Sequence, residues 1–215
     1  MAQVGPNYPF PTKIIVSPKA VFVGQQVRTY SDPSEDLELV QTDAVVSTVK
    51  AVDATGRITW DRQVRPVSER LDGHVQNFDP KAPAMGITEV QAKTGGQLQF
   101  ETALDEMNTL QLLSRFNTLP LPAKTVGTDD TWEFKDTRYL AYTFRGRVIG
   151  FENGFYKVKT YFEGLETPKY VANGFAWVGI NGLPSRIELT AKPIEIPGGE
   201  GQKTTCTLVW TMTPK

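Results

Sequence analysis

The 215-residue chain has a single cysteine, Cys206, and a single histidine, His74. One cysteine excludes an intrachain disulfide and a thiolate zinc cluster. One histidine removes His-rich metal sites and makes any Ser-His-Asp arrangement depend on one residue. Long apolar runs are missing as well. The longest are a few residues, far short of the roughly 20 that cross a bilayer as a helix, so no membrane span is expected. Basic excess is absent: 23 Lys and Arg stand against 24 Asp and Glu. A nucleic-acid partner normally requires a basic patch and a high isoelectric point, so none is expected. Met1-Ala2-Gln3 runs directly into polar, Pro-rich sequence, with no charged n-region followed by an apolar h-region. Either the protein is made without export, or a signal was removed and a start Met supplied.

What is present is an ordinary globular composition, 40% hydrophobic and 22% charged. A chain of this size buries roughly 70% of its unfolded surface and needs no disulfide to build a core. Residues 1–12, with Pro6, Pro9 and Pro11, favour extended backbone and forbid helix. They read as an N-terminal arm ahead of a single domain over 13–215. The arm is either a loose end or a strand that adds to a neighbour's sheet edge. The second reading makes a homo-oligomer through Tyr8 and Phe10.

Strand signals dominate the rest. Lys13–Val16 and Val21–Tyr30 are apolar and short. Residues 37–52 are rich in Val and Thr, which favour strand, and adjacent Val45 and Val46 predict a bulge. Ile58, Trp60 and Val64 share one parity, as a half-buried strand requires. Residues 71–86, with two glycines and two prolines, read as a loop holding His74. Gly95-Gly96 predicts a hairpin between 87–93 and 97–100. Asn153-Gly154 and Asn181-Gly182 are stronger hairpin signals. The second pairs Ala176 with Ile187, Trp177 with Arg186 and Phe175 with Glu188. The first pairs Ile149 with Val158 and Phe151 with Tyr156. Leu140, Tyr142 and Phe144 have the opposite parity, so the phase must shift between them, and Gly146 is the natural bulge. In the last strand Cys206, Leu208, Trp210 and Met212 share a parity.

One helix is predicted, over residues 103–116. Thr102 suits its N-cap, Leu104, Met107, Leu110 and Leu113 form an i, i+3 stripe, and Leu119-Pro120-Leu121-Pro122 stops it. The fold class expected is mainly β (α+β): a strongly curved antiparallel sheet or half-barrel of about nine to eleven strands, wrapped over that helix.

The segment from Leu119 through Pro120, Leu121 and Pro122 to Gly127-Thr128-Asp129-Asp130-Thr131-Trp132 resembles the "lP.kpVkvGDtW" stretch of certain bacterial envelope proteins of unknown function related to the lipoprotein-carrier fold. Val21–Tyr30 is similar to their early "f..G..y.y" strand, and Gly182-Leu183-Pro184-Ser185-Arg186-Ile187 to their late "Glp.r.e" strand. The resemblance runs from about residue 20 to the end. Thr128 is inserted relative to the family's Gly-Asp, and no lipobox cysteine or export signal is present. The resemblance implies a curved sheet holding a lipid or other hydrophobic ligand on its concave face, in a periplasmic, cell-surface or secreted protein. The ligand-binding candidates are Trp60, Met107, Leu110, Tyr142, Phe144, Phe175 and Trp177.

Catalytic, metal and cofactor motifs do not emerge. Asp129-Asp130 reads as a turn, without the run of oxygen ligands calcium needs. The glycine pairs lack phosphate-loop spacing, and no Gly-x-Ser-x-Gly occurs. Cys206 reads as a small buried hydrophobe. No enzyme is expected. The predicted pairing at Asn181-Gly182 puts aromatics on both faces of the meander, and a sheet apolar on both faces must be covered on both. Two functions follow: a binding module for a hydrophobic ligand, or a structural, self-assembling protein of a surface, filament or virion.

Overall fold

Alternating Val, Thr and aromatic residues build long strands here because each places one side chain inward and the next outward. The computed structural model describes residues 9–32, 34, 37–96, 98–100, 116–137, 141–165, 169–195 and 203–215. Its strands are β1 (Val21–Asp32), β2 (Leu37–Val52), β3 (Ile58–Leu71), β4 (His74–Asn77), β5 (Met85–Gln91) and β6 (Leu98–Phe100). The second half adds β7 (Thr131–Asp136), β8 (Tyr142–Glu152), β9 (Phe155–Gly164), β10 (Val171–Val178), β11 (Pro184–Glu195) and β12 (Lys203–Pro214).

All pairings are antiparallel, and eleven strands form one path, β6-β5-β3-β2-β1-β12-β11-β10-β9-β8-β7. β4 lies off that path, beside β3. The chain is thus two meanders joined where β1 meets β12, with Tyr30 opposite Cys206. The sheet is curved and not closed, as expected, and strands account for 65% of the described residues. Phe116 is in helical conformation and fully buried, with its ring 5.1 Å from Phe162 and 5.8 Å from Tyr170. The rest of the expected helix over 103–116 lies outside the described residues.

One face of the sheet carries the core. On β8 and β9, Phe144 sits opposite Phe162 and Val148 opposite Val158. Ile187, Leu189 and Ala191 continue this face on β11, and Cys206, Leu208 and Trp210 on β12. Each such large side chain contributes about 1.5–3 kcal/mol when fully buried. Coil segments cover this layer. Phe10 packs on Trp132 and Tyr156, at 5.2 and 5.3 Å between ring centroids. Leu119, Leu121 and Val126 enter the same cluster. The covering coil is stitched by backbone bonds from Gly96 N–H to the Thr118 carbonyl and from Leu121 N–H to the Thr94 carbonyl, both 2.7 Å.

Register agrees with the sequence in places and departs in others. The pairs Ala176–Ile187, Trp177–Arg186 and Phe175–Glu188 form as predicted, although the ladder shifts after Trp177. Phe151 pairs with Tyr156 around Asn153-Gly154, whose φ values of +52° and +86° are those of a type I′ turn. The bulge that resets the phase is at Ile149, between Val148 and Gly150, and not at Gly146. Val45 and Val46 pair regularly with Val64 and Gln63; the irregularities of β2 fall at Thr42/Asp43 and Val49/Ala51. Residues 71–86 are not all loop. Asp72 and Gly73, with φ of +47° and +85°, turn β3 into β4, so His74 faces Leu71 in an exposed hairpin. Residues 13–16 are not a strand but coil, bonded through Ile14 N–H to the Lys93 carbonyl and Ile15 N–H to the Asn181 carbonyl.

Candidate functional site

The predicted ligand residues fall on both faces of the sheet. Trp60 is buried on β3, where its indole N–H donates to Gln91 Oε1 at 2.9 Å. Tyr142 and Phe144 are buried on β8, seven strand positions along the path from β3. Tyr142 donates to the Gly96 carbonyl at 2.7 Å. Phe175 and Trp177 lie on the opposite, outer face of β10, partly exposed. Met107 and Leu110 are outside the described residues. Trp60, the β8 pair and the β10 pair therefore make no single lining.

The outer face of β7–β11 carries an aromatic row of its own. Tyr161, Phe175 and Trp177 point outward between buried neighbours on β9 and β10. Each ring is matched by a cation. Arg145 lies 5.6 Å from the Tyr161 centroid. Lys157 lies 5.2 Å from both Phe175 and Trp177, and Arg186 lies 5.3 Å from Trp177. The Trp177 indole N–H donates to Glu152 Oε1 at 2.6 Å.

Beside this row is a depression of about 580 Å³, lined by Glu133, Arg145, Arg147, Lys159, Tyr161 and Asn173 among others. Arg145 pairs with Glu133 at 2.9 Å and Arg147 with Asp129 at 2.8 Å, both at the rim. Asp129 is held in a tight turn with φ of +69°, where Asp130 Oδ2 accepts the Gly127 N–H at 2.7 Å. The bulge at Ile149 decides what meets what inside the depression. Without it, Arg147 would oppose Thr160. With it, Arg147 sits directly opposite Lys159.

A second polar cluster lies on the core face of β1–β5. Arg28 pairs with Asp43 at 2.5 Å and Arg62 with Glu89 at 2.6 Å, all four side chains at most 9% exposed. Burial raises the Asp43 carboxyl above its ordinary value, and the Arg28 cation offsets only part of that. Burial also raises the Tyr30 hydroxyl and pushes the Cys206 thiol up to about 12. A protonated, buried thiol is a packing group and a poor nucleophile.

No protein-family model matches the chain, and no curated protein matches it. Among the described residues, no three His, Cys, Asp or Glu side chains gather as a metal site would require. The segment from Leu119 to Trp132 has a structural use: the Trp132 indole N–H donates to the Pro120 carbonyl at 2.9 Å, closing the segment on itself.

Sequence reasoning found Phe175 and Trp177 through the Asn181-Gly182 register. It missed Arg147 and Lys159, whose juxtaposition depends on the bulge. It missed Arg28 and Asp43 too. The signal there was parity: Arg28 shares a face with Phe22 and Tyr30.

Proposed function

We propose that this protein is a non-catalytic binding domain that takes a glycan chain across the outer face of β9 and β10. The observation that carries the reading is the row of Tyr161, Phe175 and Trp177 on a face open to solvent. An antiparallel sheet with one face on the core ordinarily turns polar residues to water. Sugar rings suit this row. Their C–H faces stack on aromatic rings, and their hydroxyls bond to charged and amide groups such as Glu152, Lys157 and Asn173 nearby. A purely apolar ligand would strip water from those same charges without replacing its hydrogen bonds, at a cost. The cell-envelope or extracellular setting belongs to this proposal, because glycans are abundant there.

The test is retention on an array of immobilised oligosaccharides, wild type against Trp177→Ala and Phe175→Ala. The expected result is selective binding that weakens about tenfold or more in Trp177→Ala, as for loss of one aromatic contact, with an unchanged melting temperature. Retention of no oligosaccharide, or equal retention by wild type and both variants, sinks the reading.

A further inference from the structure

We infer that the depression beside Tyr161 binds the anionic group of an acidic sugar unit, a carboxylate or sulfate, between Arg147 and Lys159. This rests on the glycan reading above and narrows it to charged chains.

The argument begins with a like-charge pair. Arg147 and Lys159 are register partners on β8 and β9, with both side chains on the outer face. Like charges directly opposite one another destabilise a sheet. The bulge at Ile149 keeps Phe144 and Val148 on the core face, and the same shift leaves Arg147 opposite Lys159 on the outer face. Arg147 is relieved at the rim by Asp129, but Lys159 forms no ion pair among the described residues. Arg145 lines the same depression from two residues along β8, so three cations face one concavity whose only lining acid among the described residues is Glu133.

An anion placed there meets charge-assisted donors from two sides, the strongest class of side-chain hydrogen bond. Tyr161 borders the same space with Arg145 over its ring, and Asn173 adds an amide. The ring row then continues through Phe175 to Trp177, whose centroids are 6.5 Å apart. One charged group anchored beside a run of rings describes an acidic sugar within a chain.

A single-stranded nucleic acid also stacks on aromatics and needs cations. It is disfavoured because acids alternate with the cations along the row. Glu133, Asp129, Glu152 and Glu188 each pair with a neighbouring Arg or Lys. A backbone charged at every step would meet repulsion along the row, whereas a sugar chain with one acidic unit among neutral ones places its single charge in the depression.

The experiment is calorimetric titration of the full chain with four probes: a neutral oligosaccharide carrying one galacturonate unit, the same oligomer as its neutral methyl ester, a neutral oligosaccharide carrying one sulfate and an oligothymidylate. Wild type is compared with Lys159→Gln and Lys159→Glu. We expect at least one acidic probe to bind about tenfold more tightly than the ester. Lys159→Gln should erase most of that preference and leave the ester's affinity as it was. Lys159→Glu should abolish acid binding while raising the urea midpoint, because it converts a repulsive cross-strand pair into an attractive one. That combination separates a site kept at the expense of stability from a merely structural lysine. The carboxylate and sulfate arms identify which acid is taken. Equal affinity for acid and ester overturns this inference and leaves the glycan reading standing. Acid binding indifferent to Lys159 overturns it too, as does tightest binding to oligothymidylate. Failure of every saccharide overturns both.

Discussion

Trp132 packs so closely on Gly146 that a Cβ added to the glycine would fall 2.4 Å from the indole Cζ2. The two residues are register partners on β7 and β8, so the ring crosses directly over the neighbouring strand. Gly146→Ala must push the indole aside, and with it the bond to the Pro120 carbonyl. Overpacking of this kind costs about 1–3 kcal/mol. Urea unfolding should show that loss with an unchanged m-value. Adding Trp132→Phe should recover part of it, and recovery of nothing would show that the contact is not the cause.

The same glycine shows how far the sequence could be read. A glycine inside a strand signals either a bulge or a close approach, and period-2 patterning cannot separate the two. Gly146 is the close approach; the bulge fell three residues later, at Ile149, which has no sequence signature. Where a turn dipeptide fixed the register, reading was reliable: Ala176 opposite Ile187 follows from Asn181-Gly182, and the parity of Cys206 through Met212 held. Asp72-Gly73 was an equally good hairpin signal, hidden by the prolines around it. Buried Arg28 and Asp43 were not legible, because polarity argued for the outer face while only parity argued for the core. Arg147 opposite Lys159 was beyond reach from sequence, since one extra residue in β8 sets it.

Arg28 is the cation that keeps Asp43 tolerable on the core face. Burial raises the folded-state value of Asp43, and Arg28 acts against that rise. A raised folded value means the native state holds the proton more tightly than the unfolded chain. The resulting stability is full below the ordinary value of about 3.9 and is lost as pH climbs through the folded value. Arg28→Met removes the opposing cation, so the folded value climbs further and the loss steepens. At neutral pH the variant should be about 3–5 kcal/mol less stable than wild type, with the gap narrowing toward pH 4. Arg28→Met/Asp43→Leu should regain most of the loss. A gap independent of pH between 4 and 7 would sink the electrostatic account.

Phe10 belongs to this chain's own core. It is 2% exposed and lies against Trp132 and Tyr156. A side chain so placed has no surface left for a neighbouring molecule, while Tyr8 lies outside the described residues. Phe10→Ala should cost about 3–5 kcal/mol, as for other buried aromatics cut back to a methyl. Phe10→Leu should cost less than half of that. A change below about 0.5 kcal/mol, the usual range for surface positions, would place Phe10 outside the core.

Cys206 and Tyr30 face each other across β1 and β12, and burial raises both. Below the ordinary thiol value of about 8.5, Cys206 is protonated in both the native and unfolded states and contributes no pH slope. Above it, the unfolded chain releases the proton while the native thiol, with its value near 12, does not. Stability therefore falls as pH rises from that point, by up to about 1.4 kcal/mol per pH unit for each such group. Tyr30 adds its own share from about pH 10, the ordinary phenol value. Urea midpoints measured from pH 7 to 11 should bend downward near 8.5, and Cys206→Ala should move the bend toward 10. The thiol itself should react with a disulfide reagent only as fast as the protein unfolds. Rapid labelling of the native protein at pH 8 would contradict the burial from which this alkaline weakness is derived.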